Sequence, residues 1–300
     1  MKRIGVIGVG MMGHGIATNI AKHGYELALL EHAGNQPLDA LRAAGATSTP
    51  DAAALAASVD VLLLCVTGTP QVEEVLFKNG VLDALRPGTV IIDCSTAIPA
   101  STLRIAEAVK HAGGRFLDAP MTRTPKEAAE GRINLIVGGE RALFDECLPL
   151  LQSFAENIVY AGEASSGHRL KLLHNFVSLG FSAVLAEAAA CANRAGVDPN
   201  VLVSVLAAGG GDGVVFKRLR PFIESADSSG FRFSMSNALK DMGYYVEMTD
   251  EVGASNAAAS AVREVYERAV AEGGPNTPVP ELIALLEGEA GKNGQAARAA

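Results

Sequence analysis

A β-branched run at residues 3–7 passes without a break into Gly8-Val9-Gly10-Met11-Met12-Gly13, and from there into a helical stretch at 11–22. Few folds accept that order. The first glycine lets the chain turn tightly off a strand, the second leaves room for a ligand's phosphates beside the backbone, and the third lets the helix pack closely on the strand. The helix start that follows offers unpaired N–H groups and partial positive charge, so it favours a diphosphate. Further aliphatic runs at 26–30, 61–66, 89–93, 115–118, 134–137 and 158–160 alternate with helical segments. Strands separated by helices need crossover connections, which implies a largely parallel sheet.

The character changes after Gly167. Residues 168–194 are helix formers with no proline and one internal glycine, Gly180. A helix of that length spans about 40 Å, more than a crossover helix needs. Stretches at 199–207, 216–226, 234–252 and 257–271 continue with helical periodicity, while 209–213 reads as a flexible turn and 288–300 as a frayed tail. The expected organisation is an α/β Rossmann domain with a mostly parallel, doubly wound sheet over 1–163, an interdomain helix over 164–194, and an all-α domain over 195–300. Three hundred residues suit such a division.

Composition narrows the function. Hydrophobic residues make up 49% of the chain and charged residues 19%, which describes a packed globular protein. The net charge of −8 supplies no basic field for a nucleic-acid backbone. Uninterrupted apolar runs such as 61–66 fall far short of the roughly 20 residues a bilayer needs, so no membrane partner is expected. The glycine-broken segment 5–12 lacks the features of a signal peptide. Cys65, Cys94, Cys147 and Cys191 show no CxxC spacing and read as reduced, buried thiols, with no metal site. A cytoplasmic location follows as the expectation.

Glu31 ends the second strand, where a carboxylate can accept hydrogen bonds from both hydroxyls of a ribose. A 2′-phosphate there would meet like charge, so the dinucleotide is expected to be NAD; the neighbouring His32 keeps NADP possible. Gly8, Gly10, Met11, Met12, Gly13 and Glu31 are the candidate cofactor contacts. Lys171 and Asn175 lie four residues apart, on one face of the long helix. A desolvated lysine can take a hydroxyl proton during an oxidation and return it during a reduction, and an asparagine beside it can hold the amine or the hydroxyl in place. His168 and His174 flank the lysine and either could serve as an acid, but His174 points about 60° away from it and reads as packed or solvated.

These motifs, with Asp93-Cys94-Ser95-Thr96, Pro99, Asp118-Ala119-Pro120, Gly138-Gly139 and Lys240-Asp241, occur in an order that resembles the β-hydroxyacid dehydrogenases over nearly the whole chain. That group includes 3-hydroxyisobutyrate dehydrogenase, tartronate semialdehyde reductase and sulfolactaldehyde reductase. The resemblance implies an NAD(P)-dependent oxidoreductase acting on a small 3-hydroxy acid or its semialdehyde, and a homodimer or homotetramer. It implies further that Ser95 and Thr96 lie against the nicotinamide ribose, and that Lys240 closes over the cofactor.

Two departures bear on the substrate. Where the family usually carries Ser-Gly-Gly after the Asp-Ala-Pro motif, this chain has Thr122-Arg123-Thr124, and a guanidinium grips anions with two hydrogen bonds. The triplet is therefore expected to hold the substrate acid, and a sulfonate or longer acid becomes an alternative; if Arg123 instead turns to solvent, an ordinary carboxylate remains. Ser165 stands at a second position where the family often has glycine. Two rival readings are an imine reductase, against which Lys171 speaks, and a non-catalytic NAD-binding module, whose mark would be a lost lysine.

Overall fold

The computed structural model describes residues 2–288, so part of the expected tail, 289–300, lies outside the described residues. The chain divides into two compact units, with the division between Lys171 and Leu172.

The first unit is built on strands β1 (Arg3–Ile7), β2 (Glu26–Leu30), β3 (Thr47–Thr49), β4 (Val61–Leu64), β5 (Val90–Asp93), β6 (Arg115–Asp118), β7 (Met121–Thr122), β8 (Ile133–Gly139) and β9 (Ala155–Gly162). Neighbours in the order β3-β2-β1-β4-β5-β6 are all parallel; β8 runs antiparallel to β6 and β7 and parallel to β9. This is the mostly parallel, doubly wound sheet expected of a Rossmann domain.

Why the strands read as continuous apolar runs is visible in where their side chains go. Val61 and Leu63 join one buried cluster, Leu62 and Leu64 the other, and β2 divides in the same way, with Leu27 and Leu29 against Ala28 and Leu30. Successive side chains point to opposite faces, and helices cover both, so every position must be apolar.

Differences from expectation are confined to edges and ends. The fourth strand stops at Leu64 rather than Val66 because the Val66 amide donates to Ser95 Oγ (3.1 Å) instead of continuing the ladder. Strands β3 and β7 were not legible: Thr-Ser-Thr and Met-Thr carry no alternating pattern, and only pairing with β2 and β8 makes them strands. Of the four cysteines, Cys94 and Cys147 are buried and Cys65 is partly so, but Cys191 is exposed on the long helix. Burial pushes the Cys65 thiol up to about 12 and Cys147 to about 11.

The second unit is helical. The long helix Ser166–Arg194 runs into it from the first, followed by Pro199–Ala207, Val214–Ser225, Met235–Val252 and Ala257–Gly273. Asp198 caps Pro199–Ala207 by accepting from the Asn200 and Val201 amides, with proline in the first turn, where its missing N–H costs nothing. Gly253 ends Met235–Val252 in a left-handed conformation. The core packs around Tyr266 and Phe216, and the fully buried Tyr266 hydroxyl donates to Leu179 O (3.0 Å). By length and composition the helix Ser166–Arg194 could cross a bilayer, because its apolar residues outweigh scattered polar ones without forming one long run. In the structure 44% of an 18-residue apolar window of that helix is buried in protein.

Candidate active site

The three glycines of the first turn differ in what surrounds them. Gly8 has φ +93°, and a Cβ there would stand 2.3 Å from Cys65 O; a Cβ on Gly13 would stand 1.9 Å from Gly8 O. A Cβ on Gly10 would meet only Gly34 O, at 3.9 Å. Two glycines are thus demanded by the protein itself, and the middle one leaves space that the fold does not use. Gly10 also starts the helix Met11–Lys22 without a side-chain cap, and that first turn carries no acidic residue. An anion bound there would satisfy the open amides. The turn is steadied by the loop after β2, where Asn35 Oδ1 accepts from Val9 N (3.1 Å) and Gln36 N donates to Val9 O (2.8 Å). Gly15 was not singled out from sequence, yet its Cβ would lie 2.6 Å from the Ala128 backbone.

Glu31 lies at the end of β2. Its Oε1 accepts from Ser48 Oγ (2.6 Å) and from the Arg42 guanidinium (2.8 Å), and these two contacts, the serine first, hold its carboxyl below the usual range. A cavity of about 400 Å³ opens beside it, lined also by His32, Asn35, Gln36 and Arg42.

At the same carboxyl edge of the sheet, Ser95 and Thr96 follow β5. Ser95 is buried; its amide donates to Asp93 Oδ1 (2.9 Å), and its hydroxyl oxygen accepts from Val66. Asp93 and Asp118 are paired in register at the ends of β5 and β6. Asp118 accepts from the Ser165 amide (2.8 Å) and the His168 amide (2.9 Å), so a strand-end carboxylate caps the first turn of the long helix. Glycines make the approach possible: a Cβ on Gly138 would lie 2.6 Å from Asp118 Oδ1, and one on Gly167 2.4 Å from Ile136 O. The sequence marked Asp118 and Gly138 without showing that they serve this cap.

The two departures prove to share a backbone feature. Arg123 has φ +81° and Ser165 φ +75°, so both occupy the left-handed region that glycine adopts without strain. Each side chain of the triplet has a partner within the unit: Thr122 Oγ1 accepts from Asn134 Nδ2 (3.0 Å), the Arg123 guanidinium donates to Arg132 O and the Glu156 carboxylate, and Thr124 caps the helix Pro125–Ala129 together with Glu127. Ser165 Oγ is buried with no hydrogen-bond partner among the described residues. Changing Ser165 to glycine should therefore relieve strain of about 1–3 kcal/mol against an entropic cost of about 0.5–1 kcal/mol. The expected result is a protein roughly 1 kcal/mol more stable in urea, and a lowered midpoint would refute the strain.

In the second unit, Asp241 gathers two of the candidates. Its Oδ2 accepts from Asn175 Nδ2 (2.6 Å) and its Oδ1 from Lys240 Nζ (2.6 Å), and both Asn175 and Asp241 are buried. Lys240 also lies over the Tyr244 ring, 4.9 Å from its centre. Lys171 is half-buried, one helical turn before Asn175, and His174 is exposed, with Nδ1 3.0 Å from Asn175 Oδ1.

Comparison with known proteins accords with this arrangement. Residues 3–162 match the NAD-binding domain of 6-phosphogluconate dehydrogenase, and 165–286 the NAD-binding region of NADP-dependent 3-hydroxyisobutyrate dehydrogenase. The 2-hydroxy-3-oxopropionate reductase of Escherichia coli is 30% identical over 288 residues, 95% of this chain and 97% of that one. The chain belongs to the β-hydroxyacid dehydrogenase family. Among solved structures, a 3-hydroxyisobutyrate dehydrogenase from Salmonella typhimurium superimposes with a TM-score of 0.83 at 25% identity, covering 95% of this chain and all of the other. The human cytokine-like nuclear factor N-PAC is 26% identical over 273 residues, 90% of this chain and 49% of that protein. As a β-hydroxyacid dehydrogenase family member the chain carries an NAD(P)-binding domain, and the open space at Gly10 with the uncapped helix start fits the dinucleotide's diphosphate.

Proposed function

We propose that the protein interconverts a small 3-hydroxy acid and its semialdehyde, with NAD preferred over NADP. The observation that carries this reading is the buried Asp241, which fixes Asn175 one helical turn beyond Lys171. Bound NAD supplies a hydride acceptor. Lys171 Nζ takes the hydroxyl proton as the alcohol is oxidised and returns it in the reverse direction. Asn175, its amide group held by Asp241, orients the amine or the hydroxyl. Gly8, Gly10, Met11, Met12 and Gly13 cradle the diphosphate, Ser95 and Thr96 support the nicotinamide ribose, and Lys240 contributes positive charge toward the cofactor. Thr122, Arg123 and Thr124 form the loop that receives the acid.

Arg123 supports a second reading, in which the substrate is a sulfonated or longer acid semialdehyde. An arginine is kept at a left-handed position, where glycine would be strain-free, and an incoming anion would compete with Glu156 for its guanidinium. A non-catalytic NAD-binding module is the remaining alternative, and the presence of Lys171 argues against it.

The deciding measurement is a spectrophotometric screen at 340 nm of short hydroxy acids and semialdehydes, sulfonated ones included, with NAD and with NADP. Tight NADH binding with no absorbance change for any of them would overturn the enzymatic reading. Comparing carboxylate and sulfonate substrates before and after Arg123→Gly tests the anion clamp; identical kinetics would retire it.

Cofactor preference has its own test. Glu31→Ala should lower kcat/KM with NAD by about 10- to 100-fold, the scale of lost hydrogen bonds to a charged group. NADP should lose less, because Arg42, released from Glu31 and held by Ser48 alone, would face a 2′-phosphate with no carboxylate beside it. An unchanged NAD-to-NADP ratio would mean that the ribose is read elsewhere.

A further inference from the structure

His168 is fully buried, and so are the carboxylates on either side of it. Its Nε2 lies 3.9 Å from Asp93 Oδ2 and its Nδ1 3.9 Å from Asp118 Oδ2, with relative exposures of 0%, 1% and 0% for the three side chains. The residue bonds to three elements of the first unit, two of them through its ring. Nε2 donates to Ser95 O (3.1 Å), just beyond β5; Nδ1 lies 2.7 Å from Thr102 Oγ1, on the helix Pro99–His111; and the His168 amide donates to Asp118 at the end of β6. Nothing in the proposed proton transfer uses this imidazole.

We propose that His168 is a positioning residue, which pins the first turn of the Lys171 helix to the Ser95–Thr96 loop and so fixes where the lysine's backbone stands. The proposal rests on the reading of Lys171 as the proton carrier. Lys171 follows His168 by three residues, less than one turn, so a shift of the turn at His168 is passed to it through an unbroken ladder of helical hydrogen bonds. Errors of about 1 Å in placing a reacting group cost on the order of 10²-fold in rate. Ser95 and Lys171 belong by resemblance to the two halves of the reaction, the nicotinamide ribose and the proton, and His168 is the side chain that bonds to the backbone of the first while standing on the helix of the second.

The hydrogen bonds also indicate what form the ring takes. A carbonyl only accepts, so Nε2 must carry a proton toward Ser95 O. Thr102 Oγ1 lies 3.1 Å from Ile98 O, and if its single hydrogen goes there, Nδ1 must be a donor as well. If the hydroxyl donates to Nδ1 instead, across the shorter 2.7 Å, the ring satisfies every contact with a single N–H, because Ile98 O already accepts from the Thr102 amide (3.0 Å). Two buried carboxyl groups from neighbouring strands thus flank the ring, and Asp93 Oδ2 has no hydrogen-bond partner among the described residues. Burial pushes the Asp93 carboxyl up, and His168 and Ser95 act against that shift.

The test uses the full chain with three replacements: His168→Leu, His168→Gln, and His168→Gln combined with Asp93→Asn. Glutamine offers one donor to Ser95 O and one acceptor to Thr102, and the added asparagine replaces one of the two flanking carboxyl groups by an amide. Four readouts apply: urea unfolding, NADH fluorescence on binding, kcat and KM with an acid the unmodified protein oxidises, and amide exchange of a peptide spanning 164–172. His168→Leu is expected to bind NADH, to lower kcat by about 10²-fold with KM for the acid within about threefold, and to speed exchange in 164–172 by about tenfold. The double variant is expected to recover most of both losses, with His168→Gln between them. A leucine variant with unaltered exchange and unaltered kcat overturns the proposal. Should leucine prevent folding, a double variant that folds yet keeps the slow kcat and fast exchange of His168→Gln overturns it too. If the unmodified protein oxidises no acid, the functional reading falls by itself, and the exchange experiment still decides whether His168 anchors the helix.

Discussion

Lys171→Ala should cut turnover by about 10²-fold or more while NADH affinity stays within a few-fold of its original value. The size is that of general acid–base catalysis by a positioned side chain. The split is expected because the dinucleotide contacts proposed here lie elsewhere, in the glycine turn, Glu31 and the Ser95–Thr96 loop. Alanine is a strong helix former, so the helix Ser166–Arg194 should survive the change. Steady-state kinetics with NADH fluorescence titration measures both quantities. Turnover near the original value would remove Lys171 from the mechanism; loss of NADH binding would make it a cofactor contact.

The second large effect sets two glycines of one turn against each other. Gly13→Ala should destabilise the first unit by about 3 kcal/mol, because its Cβ would be driven to 1.9 Å from Gly8 O, a backbone atom that cannot swing aside. Gly10→Ala should leave the urea midpoint almost unchanged, since its Cβ meets only Gly34 O at 3.9 Å, yet weaken NADH binding at least about tenfold by filling the space reserved for the diphosphate. Urea unfolding and fluorescence titration of both variants separate the two roles. Equal stability losses would show that Gly10 is structural, and unchanged NADH affinity in Gly10→Ala would place the diphosphate elsewhere.

How far the site was legible depends on the distance over which each feature acts. The turn at 8–13 is fixed by its own residues: only glycine tolerates φ +93° at Gly8 beside the Cys65 backbone, and spacing alone marks it. The strands of the sheet's centre were legible because burial on two faces leaves an unbroken apolar run. The edge strands β3 and β7 were not, because a pairing partner rather than a pattern makes them strands. Arg123 was visible as a departure, but its φ of +81° and its hold on Glu156, far along the chain in β9, were not. His168 read from sequence as a neighbour of Lys171 that could serve as an acid, and its carboxylate neighbours come from β5 and β6.

The sequence by itself determined a strand–turn–helix made for a dinucleotide, a parallel α/β unit followed by a helical one, and a lysine and an asparagine on one helical face. All of these are set by near neighbours, through periodicity, glycine conformation and helical spacing. Only the tertiary structure decided which polar groups meet: Asp93 beside Asp118, Ser48 and Arg42 on Glu31, Glu156 on Arg123, Asp241 on Asn175. Those meetings depend on strand order and helix packing, which join residues remote in the chain and leave no local period to read.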